Sequence, residues 1–150
     1  MRILPAVLSS IAILTVSIGS SYAANSMSVV IRNSAMDDNK ITYSVSRTNE
    51  RWCGSGQTCD APSSISFGRS GTATNRGTGY DRRMIYTYQV NDYGVLPRVC
   101  RINVTMTEVT SSTCKNGSSY VTGFCSGSIS TNDRDCTATG SVAITYHSYH

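Results

Sequence analysis

Apolar and polar residues alternate with a period of two in one segment of this chain after another, which predicts β-strands. The clearest segment is 99–107, and similar alternation recurs in 27–33, 40–46, 65–67, 83–90 and 141–149. Strands with one apolar face are typical of antiparallel sheets that bury one side. The residues predicted to lie in the core are Ile31, Tyr43, Val45, Tyr86, Tyr88, Ile102, Val104, Val142 and Ile144.

Clusters of Asn, Asp, Gly and Ser separate these segments and predict tight reversals of the chain. Asn116-Gly117 is the strongest hairpin signal. The Gly-, Thr- and Arg-rich residues 68–82 are expected to form a mobile loop. About seven strands with one apolar face need a second sheet to cover that face. We therefore expect an all-β fold, a single small antiparallel β-sandwich, with a small β-barrel as the alternative.

The beginning of the chain resembles a secretory signal peptide. A single positive charge precedes an apolar run, and small residues then lead to Ala23, where cleavage is expected at that residue or the next. The run is shorter than a membrane-spanning helix requires, and serines interrupt it. We expect residues 1–23 to be removed and residues 24–150 to form one secreted or periplasmic domain without a stable transmembrane segment.

All six cysteines follow that segment. An even number of cysteines behind an export signal predicts disulfides in an oxidising compartment, and we expect three. No two cysteines have the C-x-x-C spacing, which disfavours a structural zinc site. Fifteen pairings are possible, and local geometry favours Cys53–Cys59 around a Gly-rich loop and Cys114–Cys125 across the predicted Asn116-Gly117 turn, which leaves Cys100–Cys136.

No motif in the sequence indicates catalysis, a metal site or a cofactor. His147 and His150 lie at the end of the sequence, most carboxylates fall in predicted turns, and there is no phosphate-binding loop. The net charge of +4 becomes +3 when the single charge of Arg2 is removed, and it lacks the basic and aromatic clusters of nucleic-acid-binding proteins. We therefore expect no catalytic residue, no metal ligand, no cofactor and no nucleic-acid partner.

Aromatic and arginine side chains gather around two loops rich in glycine. Trp, Tyr and Arg supply much of the binding energy at protein surfaces, and a loop closed by a disulfide loses little entropy on binding. The competing interpretation is that the tryptophan belongs to the core and the arginines keep the protein soluble. The candidate binding residues are Trp52, beside the Cys53–Cys59 loop, and Arg69, Arg76, Tyr80 and Arg82, in residues 68–82.

The leading hypothesis is an exported, non-enzymatic binding module that recognises a protein, a glycan or an anionic surface. One alternative is a secreted pore-forming toxin, because some proteins of that class begin as soluble β-sandwiches. The other is a small secreted hydrolase whose active site is assembled from residues scattered along the chain.

Overall fold

The computed structural model describes residues 26–91 and 98–146, which form ten strands and no helix. The predicted signal peptide and both histidines lie outside these residues, and no described segment is a helix that could cross a membrane. The strands are β1 Ser26–Ala35, β2 Val45–Cys53, β3 Gln57–Asp60, β4 Ser64–Ile65, β5 Ser70–Gly77, β6 Asp81–Val90, β7 Val99–Thr110, β8 Thr113–Gly123, β9 Cys125–Asn132 and β10 Thr137–Tyr146.

The strands form two five-stranded sheets that share one hydrophobic core. The first sheet has the order β3-β5-β1-β10-β9, and the second sheet has the order β4-β2-β6-β7-β8. All neighbouring strands in the described chain are antiparallel except β1 and β10, which run parallel in the middle of the first sheet. The sheets do not close into a barrel. The predicted sandwich is therefore confirmed, and the barrel alternative is wrong.

The core lies between the two sheets and is built by the alternation visible in the sequence. Tyr43 is the one predicted core residue that stays partly exposed. It precedes β2 instead of lying in a strand, so the alternation fails there and Ile41 is 54% exposed. Tyr43 packs edge-on against Tyr146, with 5.4 Å between the ring centroids. The other predicted core residues are buried: Ile31, Val45, Tyr86, Tyr88, Ile102, Val104, Val142 and Ile144.

The structure has more strands than the sequence predicts, because several strands turn few large apolar side chains inward. Residues 68–82, predicted to be a mobile loop, contain all of β5 and the start of β6. Along β5 the fully buried side chains are Ala73 and Asn75, one small and one polar. Strands β8 and β9 are similarly rich in Ser, Thr and Gly. Hydrophobic periodicity does not detect strands of this composition.

The hairpin predicted at Asn116-Gly117 is also wrong, because both residues lie inside β8. They occupy a β-bulge at a shift in register between β7 and β8. Asn116 has a φ of 56°, in the left-handed region that asparagine tolerates better than most residues. The chain reverses between β7 and β8 at Ser111 and Ser112 instead.

Two of the three disulfides join a strand of one sheet to a strand of the other, the third joins β8 to the turn before β10, and no cysteine is free. The predicted Cys53–Cys59 pair is confirmed and connects β2 to β3. The predicted pairs Cys114–Cys125 and Cys100–Cys136 are wrong: Cys100 bonds to Cys125, and Cys114 bonds to Cys136. The reason is that Cys114 lies at the start of β8 and Cys125 just beyond its end, roughly 30 Å apart along an extended strand.

Candidate functional site

Two of the five candidate binding residues, Trp52 and Tyr80, lie at one end of the sandwich. Trp52 is 38% exposed and Tyr80 is 78% exposed. The segments that follow them are in contact, because the Gln57 side-chain amide donates a hydrogen bond of 2.8 Å to the carbonyl oxygen of Asp81. Both exposed aromatic residues therefore lie near the loop that the Cys53–Cys59 disulfide closes.

Of the three candidate arginines, Arg76 lies beside this loop, because it pairs with Thr58 inside it, but Arg69 and Arg82 do not join the exposed aromatic residues. Arg69 precedes β5 and Arg76 lies near its far end, so about 23 Å of extended strand separates the two. Arg76 points to the solvent side of the first sheet, since its neighbour Asn75 points into the core. Arg82 is fully buried and presents no surface to a ligand. Burial lowers the pKa of its guanidinium, and the negative charge of Glu108 opposes that shift.

The outer face of the second sheet carries a row of four residues that the sequence alone does not bring together. Trp52 pairs with Ile85, Ile85 pairs with Asn103, and Asn103 pairs with Tyr120, one residue from each of β2, β6, β7 and β8. Directly paired residues share a face of the sheet. The row, which we call the aromatic row, spans three strand spacings, about 14 Å, with a ring at each end.

Arg83 supports the tryptophan at one end of the aromatic row. Its guanidinium carbon lies 4.5 Å from the centroid of the Trp52 ring, within range of a cation–π interaction. The same guanidinium is 3.4 Å from a carboxylate oxygen of Asp81. One face of the indole is therefore covered by the Arg83 guanidinium, whose charge is neutralised by Asp81.

A second ion pair lies on the same outer face. The guanidinium of Arg101 pairs with the carboxylate of Glu50, and the Thr87 hydroxyl donates to the other oxygen of that carboxylate over 3.1 Å. Arg101 pairs with Thr87 in the strand register, so the ion pair lies one pair of residues away from Ile85 and Asn103 along the sheet. Both arginines of this face thus have acidic partners.

Asn103, in the middle of the aromatic row, has a side-chain oxygen with no hydrogen-bond partner among the described residues. Asn103 is only 7% exposed, and its side-chain amide nitrogen donates a hydrogen bond of 2.6 Å to the Tyr120 hydroxyl. The Nε atoms of Arg83 and Arg101 are likewise buried and unpaired within the described chain. Buried polar atoms are nearly always paired, and leaving one unpaired costs about 1–3 kcal/mol.

A cleft of about 390 Å³ opens at the edge of the sandwich, between β2 and β3. Its lining includes Arg51, Trp52, the Cys53–Cys59 disulfide and the buried Tyr86. Burial raises the pKa of the Tyr86 phenol more than the nearby guanidinium charges lower it. The phenol therefore keeps its proton at neutral pH and can donate a hydrogen bond.

The described residues contain no cluster of three or more His, Cys, Asp or Glu side chains that could hold a metal ion. The carboxylates on the outer face of the second sheet, Asp81 and Glu50, are each paired with an arginine. The chemistry available on this face and at the cleft is hydrogen bonding, stacking and charge pairing.

No protein-family model and no curated protein matches this chain.

The sequence singles out Trp52 as a candidate but not its three companions in the aromatic row. The alternation does turn Ile85 and Asn103 away from the core. It does not reveal that they are neighbours of Trp52 and Tyr120, because that depends on the register between strands. Tyr120 also stands in a polar segment that gave no strand signal.

Proposed function

We propose that this protein is an exported, non-enzymatic binding module that recognises a glycan through the outer face of its second sheet. The observation that carries the proposal is the aromatic row, with an exposed ring at each end and the unpaired oxygen of Asn103 between them. A ligand hydroxyl that donates to this oxygen would satisfy it, which is a gain available only on binding.

The composition of the face favours a glycan over the other ligands considered. Ile85 is the one aliphatic residue of the aromatic row, and the neighbouring Thr87, Thr105 and Ser118 carry hydroxyls. Cores of protein–protein interfaces are more apolar than this. Sugars offer hydroxyls that both donate and accept, together with C–H faces that pack on aromatic rings, and this face supplies both kinds of partner.

The ion pairs beside the aromatic row argue against a merely anionic surface as the ligand of this row. Arg83 is paired with Asp81 and Arg101 with Glu50, so these four groups contribute no net charge. Attraction to an anionic surface depends on excess positive charge. The same pairing commits both carboxylates to arginine, which supports binding in preference to acid–base catalysis.

Export is supported by the three disulfides, which persist in oxidising compartments. The predicted removal of residues 1–23 remains a prediction.

The test is a glycan-array screen with the oxidised protein lacking residues 1–23, followed by titration of the best neutral glycan. Trp52→Ala and Tyr120→Ala should each weaken binding by about tenfold or more, as aromatic anchors do. Phe67→Ala is the matched control, because this ring is 41% exposed and precedes β5, in the other sheet. Thermal melts of all three variants separate lost binding from lost folding.

Other outcomes identify the rival functions. If the protein binds no glycan on the array and releases dye from liposomes, the proposed binding function is wrong and the protein is a membrane-active toxin. Appearance of shortened sugars during the titration would indicate a hydrolase. Equal affinities of Trp52→Ala, Tyr120→Ala and the wild type would remove the aromatic row from the binding surface.

A further inference from the structure

The edge cleft is a second candidate site, which shares Trp52 with the aromatic row. It opens between the two sheets, where β2 and β3 meet, whereas the aromatic row faces solvent on the second sheet. A neighbouring cleft of about 490 Å³ is lined by Arg47, Ser63 and also Arg51, so Arg51 borders both. Cavities of this size accept small-molecule ligands or the terminal group of a larger one.

An irregularity in β2 turns two arginines toward this edge. Arg47 pairs with Tyr88 and Arg51 pairs with Tyr86, so three residues of β2 stand opposite the single residue Thr87. Residues paired directly share a face, and both tyrosines are buried. Bulges often redirect side chains toward functional sites. The irregularity is needed because Arg47 and Arg51 are four residues apart in β2, whereas their partners Tyr88 and Tyr86 are two residues apart in β6.

Of the two buried tyrosines near the cleft, Tyr88 has a hydrogen-bond partner for its hydroxyl and Tyr86 has none among the described residues. The Tyr88 hydroxyl donates to the carbonyl oxygen of Pro62 over 2.9 Å. The Tyr86 hydroxyl, on a residue only 1% exposed that lines the cleft, has no hydrogen-bond partner among the described residues. A buried donor of this kind is costly unless a ligand accepts its proton.

Arg51 is the charged side chain in the lining of the edge cleft, and Arg47 lines the neighbouring cleft. Arg47 donates to the carbonyl oxygen of Ala61 over 2.6 Å, and it lies 5.8 Å from the centre of the Tyr86 ring. Arg51 forms no ion pair with any described residue, and Asp60 is the acidic group that acts electrostatically on Tyr86. A guanidinium in the lining with no ion-pair partner among the described residues favours a negatively charged ligand.

We propose that this cleft binds one carboxylate or sulfate group of a small acid or of an acidic terminal unit. Arg51 pairs with the anion, and the Tyr86 hydroxyl donates a hydrogen bond to one of its oxygens. The Cys53–Cys59 bridge ties β2 to β3 at the cleft, so the site is formed before the ligand arrives. The site shares Trp52 with the proposed glycan surface, but its anion-binding groups, Arg51 and Tyr86, do not belong to that surface.

The test is a titration of the oxidised protein at constant ionic strength, monitored through the NMR chemical shifts of the backbone amides. The probes are acetate, glucuronic acid, a sulfated monosaccharide and an N-acetylated dipeptide with a free carboxylate. Glucose and the amidated dipeptide are the neutral controls. We expect saturable shifts in residues 51–53 and 57–59 with the anions and none with the neutral compounds.

Tyr86→Phe is the decisive variant, because it removes one hydroxyl oxygen that has no described partner. It should leave the melting temperature unchanged or raise it, while weakening anion binding by about tenfold or more. Arg51→Gln should weaken binding to a similar extent and reduce its dependence on salt. Arg134→Gln removes the same charge from the exposed turn between β9 and β10, and it should change nothing.

The outcomes separate the sources of the anion. Tighter binding of the acidic sugars than of acetate identifies an acidic glycan, and tighter binding of the dipeptide identifies a chain terminus. Shifts that never saturate, or an unchanged affinity of Tyr86→Phe, overturn the proposal. Tyr120→Ala should leave these titrations unchanged, so failure of the glycan surface and failure of the cleft are distinguished.

Discussion

Removing the Cys114–Cys136 bridge should destabilise the protein more than removing Cys53–Cys59. A disulfide restricts the unfolded chain, and the chain-entropy estimate grows with the length of the enclosed loop. A separation of 22 residues gives about 3.4 kcal/mol for Cys114–Cys136, and a separation of 6 gives about 2.2 kcal/mol for Cys53–Cys59. Cys136 is 0% exposed and Cys114 is 8% exposed, so their loss also leaves a cavity, which increases the difference.

The assay is urea unfolding monitored by tryptophan fluorescence. It compares two double variants, Cys114→Ala with Cys136→Ala and Cys53→Ala with Cys59→Ala. Peptide mapping without reduction first verifies that the two remaining bridges are intact. We expect the free energy of unfolding to be lower by at least about 1 kcal/mol in the first variant than in the second. An equal loss, or a larger loss in the second variant, would refute the argument from loop length and burial.

Val104→Ala should lower the free energy of unfolding by about 2–3 kcal/mol, while Thr105→Ala, on the outer face, should cost less than about 1 kcal/mol in the same urea titration. Burial raises the pKa of Tyr88 to about 12. The unfolded chain therefore loses this proton before the folded protein does, so stability present below pH 10 should fall between pH 10 and 12 by at most about 1.4 kcal/mol per pH unit. Unfolding titrations against pH, repeated with Tyr88→Phe, should show a shallower fall in the variant. The intact mass of the exported protein should correspond to a chain beginning at Ala24 or Asn25, and a mass that includes residue 1 would contradict the predicted signal peptide.

The sequence predicts the faces of the regular strands well, because burial of alternate apolar residues is a local signal. Val104 and Tyr86 are buried as their alternation indicates, and Asn103 and Ile85 point outward from the same strands. The prediction fails where the inward residues are small or polar, as in β5, and where a glycine belongs to a bulge, as at Gly117.

The candidate site was less predictable than the fold, because it depends on register. Trp52 could be proposed from its residue type and its place beside a closed loop. Its position next to Ile85 and across the sheet from Tyr120 requires the pairing of four strands, which no short segment specifies. The wrong disulfide predictions have the same origin, because the register between β7 and β8 places Cys100 opposite Gly123, two residues before Cys125.

The parallel pairing of β1 and β10 has a consequence for the order of folding. These strands are the first and last of the described chain, with registers from Met27↔Ala138 to Ala35↔Tyr146. On the ribosome, β6, β7 and β8 can pair with their sequence neighbours as soon as they emerge, but β1 keeps one bare edge until β10 has been synthesised. Pairings so distant in sequence form slowly. A chain interrupted before Thr137 would therefore carry an unprotected strand edge, which is a site for aggregation.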